Sequence, residues 1–325
     1  MGDRADDTPL VGVHYRATDL SMPLAEFADA CVERGLTSLY FAEHTHFPVV
    51  RRSRIPGVER DDGAEAEPIN NPALRTASAS LAERYQRIFD PYIAMAYLAG
   101  ISTLRLGTCI SLVAEHDAIA LAKAIATLDH LCQGRLVLGV GEGWLVEEFE
   151  DHGFRGADRR AVLREKIGLM KAIWTNDVAE FEGTYVSLKP SYSWPKPVQV
   201  PHPPILFGCR ARRAGFREIA AWADGWLPQN TGPSARLGDD LRVLQDTWAG
   251  AGRSGAPTIV VMQGMDDADG FSRAMDAYAA LDVAEVLLDV PTDNAEVLLP
   301  LLDAYRARLD GWQGAASPRD RQGAG

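Results

Sequence analysis

The sequence predicts an α/β protein, specifically a (β/α)8 TIM barrel with insertions after strand 2 and before strand 5. Two observations carry this. Short β-rich runs alternate with stretches of helical period along the chain, the order expected of parallel strands joined by crossover helices. The strand-helix pair recurs eight times within 325 residues, which suits a closed barrel better than an open sheet. With 46% hydrophobic and 24% charged residues, the chain has material for a large core, so a disordered or fibrous protein is excluded. One domain is expected over residues 8–312. Residues 313–325 lose all apolar periodicity and read as a disordered tail.

Strands are predicted at Leu10 to Tyr15, Ser38 to Ala42, Arg105 to Ile110, Arg135 to Val140, Pro204 to Gly208, Gly225 to Pro228, Thr258 to Gln263 and Ala284 to Asp289. Helices are predicted at Leu24 to Arg34, Pro91 to Ala99, Ala118 to Leu131, Arg159 to Trp174, Ala211 to Ala221, Ser234 to Ala249, Gly270 to Leu281 and Asn294 to Arg308. Two connections are too long for simple loops, and such connections are usually functional. One runs from His44 to Ile88, after the second strand. The other, Asp177 to Pro203, contains a hairpin-like stretch, Phe181-Glu182-Gly183-Thr184-Tyr185-Val186, and the proline-punctuated Trp194-Pro195-Lys196-Pro197. Both suit either a cap on the barrel or a subunit contact.

Charge and cysteine usage narrow the partners. A net charge of -12 at pH 7 argues against nucleic acid or an anionic membrane, which need a basic footprint. No apolar run reaches the about 18 residues of a membrane helix, and the acidic amino terminus does not read as a signal peptide. A cytoplasmic protein is therefore expected. Cys31, Cys109, Cys132 and Cys209 lack Cys-x-x-Cys spacing, so they read as small apolar residues rather than as a disulfide framework or zinc site.

Several segments at predicted strand ends carry candidate chemistry. In Gly139-Val140-Gly141-Glu142-Gly143-Trp144, glycines at alternating positions let main chain approach a flat ligand. Glu142 is the one ionisable side chain there, at the end of a barrel strand where such enzymes keep their chemistry; a tight turn with a solvated Glu is the plainer alternative. The second strand ends in Phe41-Ala42-Glu43-His44-Thr45-His46-Phe47-Pro48, and its two imidazoles suit proton transfer near neutrality. A His-x-His pair also raises a metal-dependent TIM-barrel hydrolase, but only Asp289 would add a ligand, and no metal is expected. The third strand closes on small residues around Thr108, Cys109 and Ile110, against which a planar ring would lie; an ordinary buried strand explains them equally. Gly208-Cys209-Arg210-Ala211-Arg212-Arg213 is a glycine turn opening a helix with three arginines, suited to phosphate or to a solvated helix face. Arg51, Arg52 and Arg54 form a second basic cluster on the long loop, facing an anionic cofactor tail, a substrate carboxylate or water.

In this order the chain resembles the bacterial luciferase-like family of barrel oxidoreductases, in its F420-dependent branch, over roughly Val11 to Leu309. The most specific segments are Ala118 to Phe149, Pro195-Lys196-Pro197-Val198-Gln199 and Ala223-Asp224-Gly225-Trp226-Leu227-Pro228. The resemblance implies a cofactor, coenzyme F420 with FMN as the alternative, and an enzyme moving a hydride between deazaflavin C5 and a small organic substrate, in the reducing direction. An FMN-dependent monooxygenase is the alternative activity. It implies His44 and Glu142 as catalytic residues, Glu142 at the position of a functional carboxylate in deazaflavin members such as the glucose-6-phosphate dehydrogenases. Cofactor contacts are implied at Thr108, Cys109, Ile110, Gly141, Glu142, Gly143, Gly208, Cys209 and Arg210, with a non-prolyl cis peptide at Cys109-Ile110. Substrate or lid roles are assigned to His46, Phe47, Arg51, Arg52, Trp144 and Trp194, and a homodimer is expected. The polar His44 to Ile88 loop is longer than usual for the family. A tryptophan common after the active histidine in sugar-phosphate dehydrogenases is replaced around Phe47-Pro48, which counts against a sugar phosphate.

Overall fold

β-branched and aromatic residues open the chain in β1 (Leu10–Tyr15), and the same composition recurs in β2 (Ser38–Phe41), β3 (Arg105–Ser111), β4 (Leu136–Gly141), β7 (Ile205–Cys209), β8 (Gly225–Pro228), β9 (Thr258–Gln263) and β10 (Glu285–Asp289). These eight strands close into a barrel in the order β1-β2-β3-β4-β7-β8-β9-β10, with β10 pairing back onto β1. Every barrel pairing is parallel. The computed structural model describes residues 8–49, 53, 81–229, 236–264, 267–291 and 294–313.

The period of two along each strand divides the apolar residues into two layers. Tyr40, Cys109, Val137, Leu206, Leu227, Val260 and Leu287 pack together as one buried cluster inside the barrel. Their strand neighbours, among them Val13, Leu39, Leu106, Leu138, Phe207 and Val261, belong to a larger layer shared with the helices. That outer layer is built by α1 (Leu24–Glu33), α3 (Pro91–Ala99), α4 (Ala118–Leu131), α6 (Arg159–Thr175), α7 (Arg213–Trp222), α8 (Leu237–Gly250), α9 (Ala268–Ala280) and α10 (Ala295–Gln313). Aspartates 90, 117 and 267 cap α3, α4 and α9 by accepting a main-chain N–H.

The expected elements are present with boundaries moved by a few residues. Three features differ from expectation. A short acidic helix, α5 (Val146–Asp151), follows β4; its six residues are too few to show a helical period. The long connection after β2 contains α2 (Leu81–Gln86), while residues 50–52 and 54–80 lie outside the described residues. The connection before β7 does form a hairpin, β5 (Val178–Glu182) with β6 (Ser187–Tyr192). It does not cap the barrel, because the Glu165 carboxylate on α6 accepts from the N–H groups of Thr184 and Tyr185 and holds it along that helix. At the carboxyl end α10 takes in Gln313, and the rest of the predicted tail lies outside the described residues. Among those residues no helix is long and apolar enough to cross a membrane.

Candidate active site

Because all eight strands run the same way, Tyr15, Phe41, Ser111, Gly141, Cys209, Pro228, Gln263 and Asp289 end on one rim. His44 lies just beyond β2 and Glu142 just beyond β4, so the structure brings both expected residues to the same mouth. His44 Nδ1 bonds the Glu148 carboxylate of α5 at 2.6 Å. The other Glu148 oxygen accepts from the Thr45 N–H at 2.5 Å, the Thr45 hydroxyl at 3.1 Å and the His46 N–H at 3.3 Å. Burial pushes the Glu148 carboxyl up, but the His44 bond and the N–H donors outweigh it and hold the group below its ordinary range. An ionised acceptor makes Nδ1 the protonated nitrogen. Nε2, which has no hydrogen-bond partner among the described residues, is left to exchange a proton with a ligand.

Glu43, immediately before His44, accepts from the Leu112 N–H at 2.5 Å and pairs with His116 at 2.6 Å, tying the end of β2 to the end of β3. His46 turns away to Asp151 at 2.9 Å and is exposed. The two imidazoles therefore answer to different carboxylates. Glu142, expected as a lone acid, is held by Arg160 of α6 at 2.6 Å. Sequence reasoning missed Glu148, the carboxylate that does engage the imidazole, because it sits on the helix that was not predicted.

The glycines also have a packing role inside the protein. At both Gly141 and Gly208 the space a Cβ would occupy is filled by the Ile110 side chain. The close approach they permit is thus made by the protein itself, seating Ile110 between β4 and β7. The peptide between Cys109 and Ile110 is cis. Thr108 is buried, its hydroxyl donating to the Gly139 carbonyl at 2.8 Å.

Aromatic rings gather round His44. Its ring lies 5.0 Å from Tyr85, 5.5 Å from Trp144 and 6.2 Å from Phe47, edge-on to each. Phe47 and Tyr85 are parallel at 6.1 Å, and Trp144 tilts against both. All four residues are half-buried. Trp194 does not join them: it is 57% exposed and its carbonyl accepts from Lys123 on the outside of α4. Arg51 and Arg52 lie outside the described residues.

Two further polar groups stand on the rim. His14 Nδ1 and the Arg16 guanidinium both bond Asp289 Oδ1, at 2.8 and 3.0 Å. Burial favours a neutral Asp289, but Arg16 and His14 reverse this and keep its carboxyl well below the usual range. The even positions of β1 face the barrel interior, which is the signal that would have found His14. On the far side, beyond β7 and β8, a cavity of about 460 Å³ is lined by Arg210, Ala211, Arg212, Gln229, Arg236 and Asp240, among others. Arg210 and Arg212 stand between β7 and α7, where free helix N–H groups add to the positive field. Gly208 and Cys209 are buried behind them, and the Cys209 carbonyl accepts from Trp226 at 2.9 Å. The exposed polar groups of this turn are the arginines.

A closed parallel barrel thus carries on one rim a carboxylate-oriented imidazole, an aromatic cluster and an arginine-lined cavity. Residues 76–321 match the model of the luciferase-like monooxygenase family, and the chain belongs to that family. It is similar to an uncharacterised protein of Mycobacterium tuberculosis, 37% identical over 300 residues covering 92% of this chain and 98% of that one. It is also similar to the FMNH2-dependent dimethylsulfone monooxygenase of Pseudomonas putida, 30% identical over 182 residues (54% of this chain, 49% of that one). The F420-dependent glucose-6-phosphate dehydrogenase of Rhodococcus hoagii is 39% identical over 92 residues (26% and 27%). Among solved structures, monooxygenase RslO1 of Streptomyces bottropensis shares the fold with a TM-score of 0.71 at 17% identity, covering 92% of this chain and 98% of that one.

Proposed function

We propose that this family member is a coenzyme F420-dependent oxidoreductase working as a reductase of a small organic molecule. The observation that carries the reading is His44, oriented through Nδ1 by an ionised Glu148 with Nε2 left open, in the same rim as an anion-suited cavity. The cavity fits the charged side chain of such a cofactor: Arg210, Arg212 and Arg236 enter no ion pair among the described residues and would hold it. Segments around Cys109, Ile110, Gly141 and Gly143 lie between that cavity and His44 and would flank the ring. When bound, the deazaflavin supplies or takes up a hydride at C5. His44 donates the matching proton from Nε2, and Glu148 stabilises the imidazolium before transfer. Glu142, neutralised by Arg160, fixes the turn after β4 rather than acting as the acid.

The relatives named for F420 and for FMN make the cofactor the point to test. Titration of the apoprotein with each, followed by fluorescence, is expected to show tight binding of F420; tight binding of FMN alone would reverse the choice in favour of the monooxygenase.

The chain is further proposed to form a homodimer. α3 is apolar around its whole circumference, and a helix of that kind is normally covered on every side. Yet Ile93 is 71%, Tyr97 57% and the following Ile101 53% exposed, in one stripe at helical spacing. Sedimentation should give a dimer, and Tyr97→Glu should shift it toward monomer.

A further inference from the structure

His14 of β1 is 3% exposed, and its two nitrogens are served unequally. Nδ1 bonds Asp289 Oδ1 at 2.8 Å, whereas Nε2 is enclosed and has no hydrogen-bond partner among the described residues. Arg16 holds the same Asp289 oxygen at 3.0 Å, so the acceptor is ionised and Nδ1 carries the proton. Burial first, then the Arg16 charge, push the imidazole below its ordinary range; Asp289 and the Cys109 main chain pull the other way by less. The ring is therefore neutral, and Nε2 is an enclosed acceptor without a donor. Such an atom is destabilising until a donor reaches it.

Resting on the proposed cofactor site, we infer that His14 anchors the cofactor's ring, Nε2 accepting from the N–H at position 3 of its pyrimidine edge. Position supports this. The Cys109 main chain adjoins the imidazole, and Cys109 and Ile110 are the residues proposed to flank the ring. Arg16 lies close enough to the Tyr85 hydroxyl to interact with it electrostatically, and Tyr85 meets the His44 ring edge-on at 5.0 Å. The pair on Asp289 thus adjoins the cluster around His44. Chemistry supports it as well. The pyrimidine edge of a deazaflavin or a flavin alternates carbonyl, N–H and carbonyl, so it asks for one acceptor flanked by positive charge. His14 Nε2 and the Arg16 guanidinium, fixed to one carboxylate oxygen, present that combination side by side. With the charged side chain held beyond β7 and β8, one molecule is fixed at both ends across the mouth.

Two substitutions separate this contact from the support His14 gives Asp289. Asparagine places an amide N–H near the position of Nδ1 and can still donate to Asp289, but it offers no acceptor where Nε2 stands. Glutamine extends a carbonyl oxygen toward that place and so supplies an acceptor again. A role limited to holding Asp289 predicts that asparagine is the better replacement. A role in accepting from a ligand predicts that glutamine is.

The test is fluorescence titration of the apoprotein with 5-deazariboflavin and 3-methyl-5-deazariboflavin, two rings that differ only in N–H against N–CH3. Neither carries an anionic tail, so the arginine-lined cavity adds nothing to the difference. The parent chain is expected to bind the unmethylated ring about tenfold more tightly, the scale of one hydrogen bond. His14→Asn should abolish that preference by weakening the unmethylated ring about tenfold and leaving the methylated one unchanged, and His14→Gln should restore part of it. Equal binding of both rings by the parent, as when a buried water satisfies Nε2, overturns the proposal. So does equal weakening of both rings by His14→Asn, or binding of neither ring. If His14→Asn does not fold, the preference of the parent chain decides alone. Titration with F420 and FMN scores the cofactor reading separately: binding of FMN alone reverses that choice and leaves the ring anchor standing, because both cofactors carry the same N–H edge.

Discussion

The two sides of the barrel mouth handle charge in opposite ways. On the β1 to β4 side four cations are matched: Arg16 by Asp289, Arg160 by Glu142, Arg159 and Lys166 by main-chain carbonyls. Beyond β7 and β8, Arg210, Arg212 and Arg236 line a cavity in which Asp240 is the one acid among the described residues. Free positive charge is useful where a ligand brings a permanent negative group, since the pair forms on binding. Matched charge is useful where one proton must move, because a fixed surrounding field keeps a donor's proton affinity steady. Under the proposed function, the contrast assigns one side of the rim to holding the cofactor and the other to the reaction.

The largest expected effect falls on the reacting side. His44→Asn should lower turnover about 100-fold or more, the scale of a lost acid-base group, and leave F420 affinity unchanged. Glu148→Gln keeps the imidazole but gives it a neutral partner, so a loss of about tenfold is expected, together with a displaced limb in the pH profile. Stopped-flow single turnovers beside a fluorescence titration separate chemistry from binding. Loss of cofactor rather than rate in either variant would erase the division between the two sides.

Substitutions on the holding side should do the reverse at smaller scale. Arg212→Ala and Arg236→Ala are each expected to weaken F420 about tenfold, equivalent to about 1.4 kcal/mol for a lost charge-assisted contact. The rate at saturating cofactor should be retained. The weakening should shrink as salt is raised, because exposed charges are screened.

How much of this was legible in the sequence follows the same division. The barrel was readable because a period of two and a period of 3.6 survive in single segments, and all eight strands were placed within a residue or two. The arginines after β7 were readable because a cationic cluster stands out in an acidic chain. The reacting side was half legible: His44 announces itself by type, but its partner Glu148 lies 104 residues away, on a helix of six residues with no apolar period. Spacing along a chain carries no record of which carboxylate will be turned inward. The packing role of the glycines was hidden for a related reason. Their permissive backbone was evident, but the tenant of the space, the Ile110 side chain at both Gly141 and Gly208, is set by a neighbouring strand. Trp194 misled because its proline-rich segment is drawn to α4, where His130 bonds the Lys196 carbonyl at 2.8 Å.

The rule of matched charge on the reacting side has one carboxyl that tests it, Glu115, just beyond β3. It is buried, with the Thr45 hydroxyl at 3.4 Å and His152 at 3.6 Å as its nearest polar neighbours. Burial first, then the negative charges of Glu148 and Glu43, push its carboxyl from an ordinary 4.5 up to about 9. Lys166 and the Thr45 hydroxyl pull the other way but by less, so the group is kept neutral by a proton. The folded state therefore binds a proton that the unfolded chain releases above its ordinary value. The stability Glu115 contributes is complete below about pH 4.5 and drains away as pH rises toward about 9. Glu115→Gln supplies a permanently neutral group of the same shape and should flatten that loss. Urea midpoints at pH 6 and pH 9 are expected to differ less in the variant than in the parent chain. An equal or steeper fall in the variant would mean that Glu115 is already ionised beside Glu148 and Glu43, and that the reacting side tolerates an unmatched charge after all.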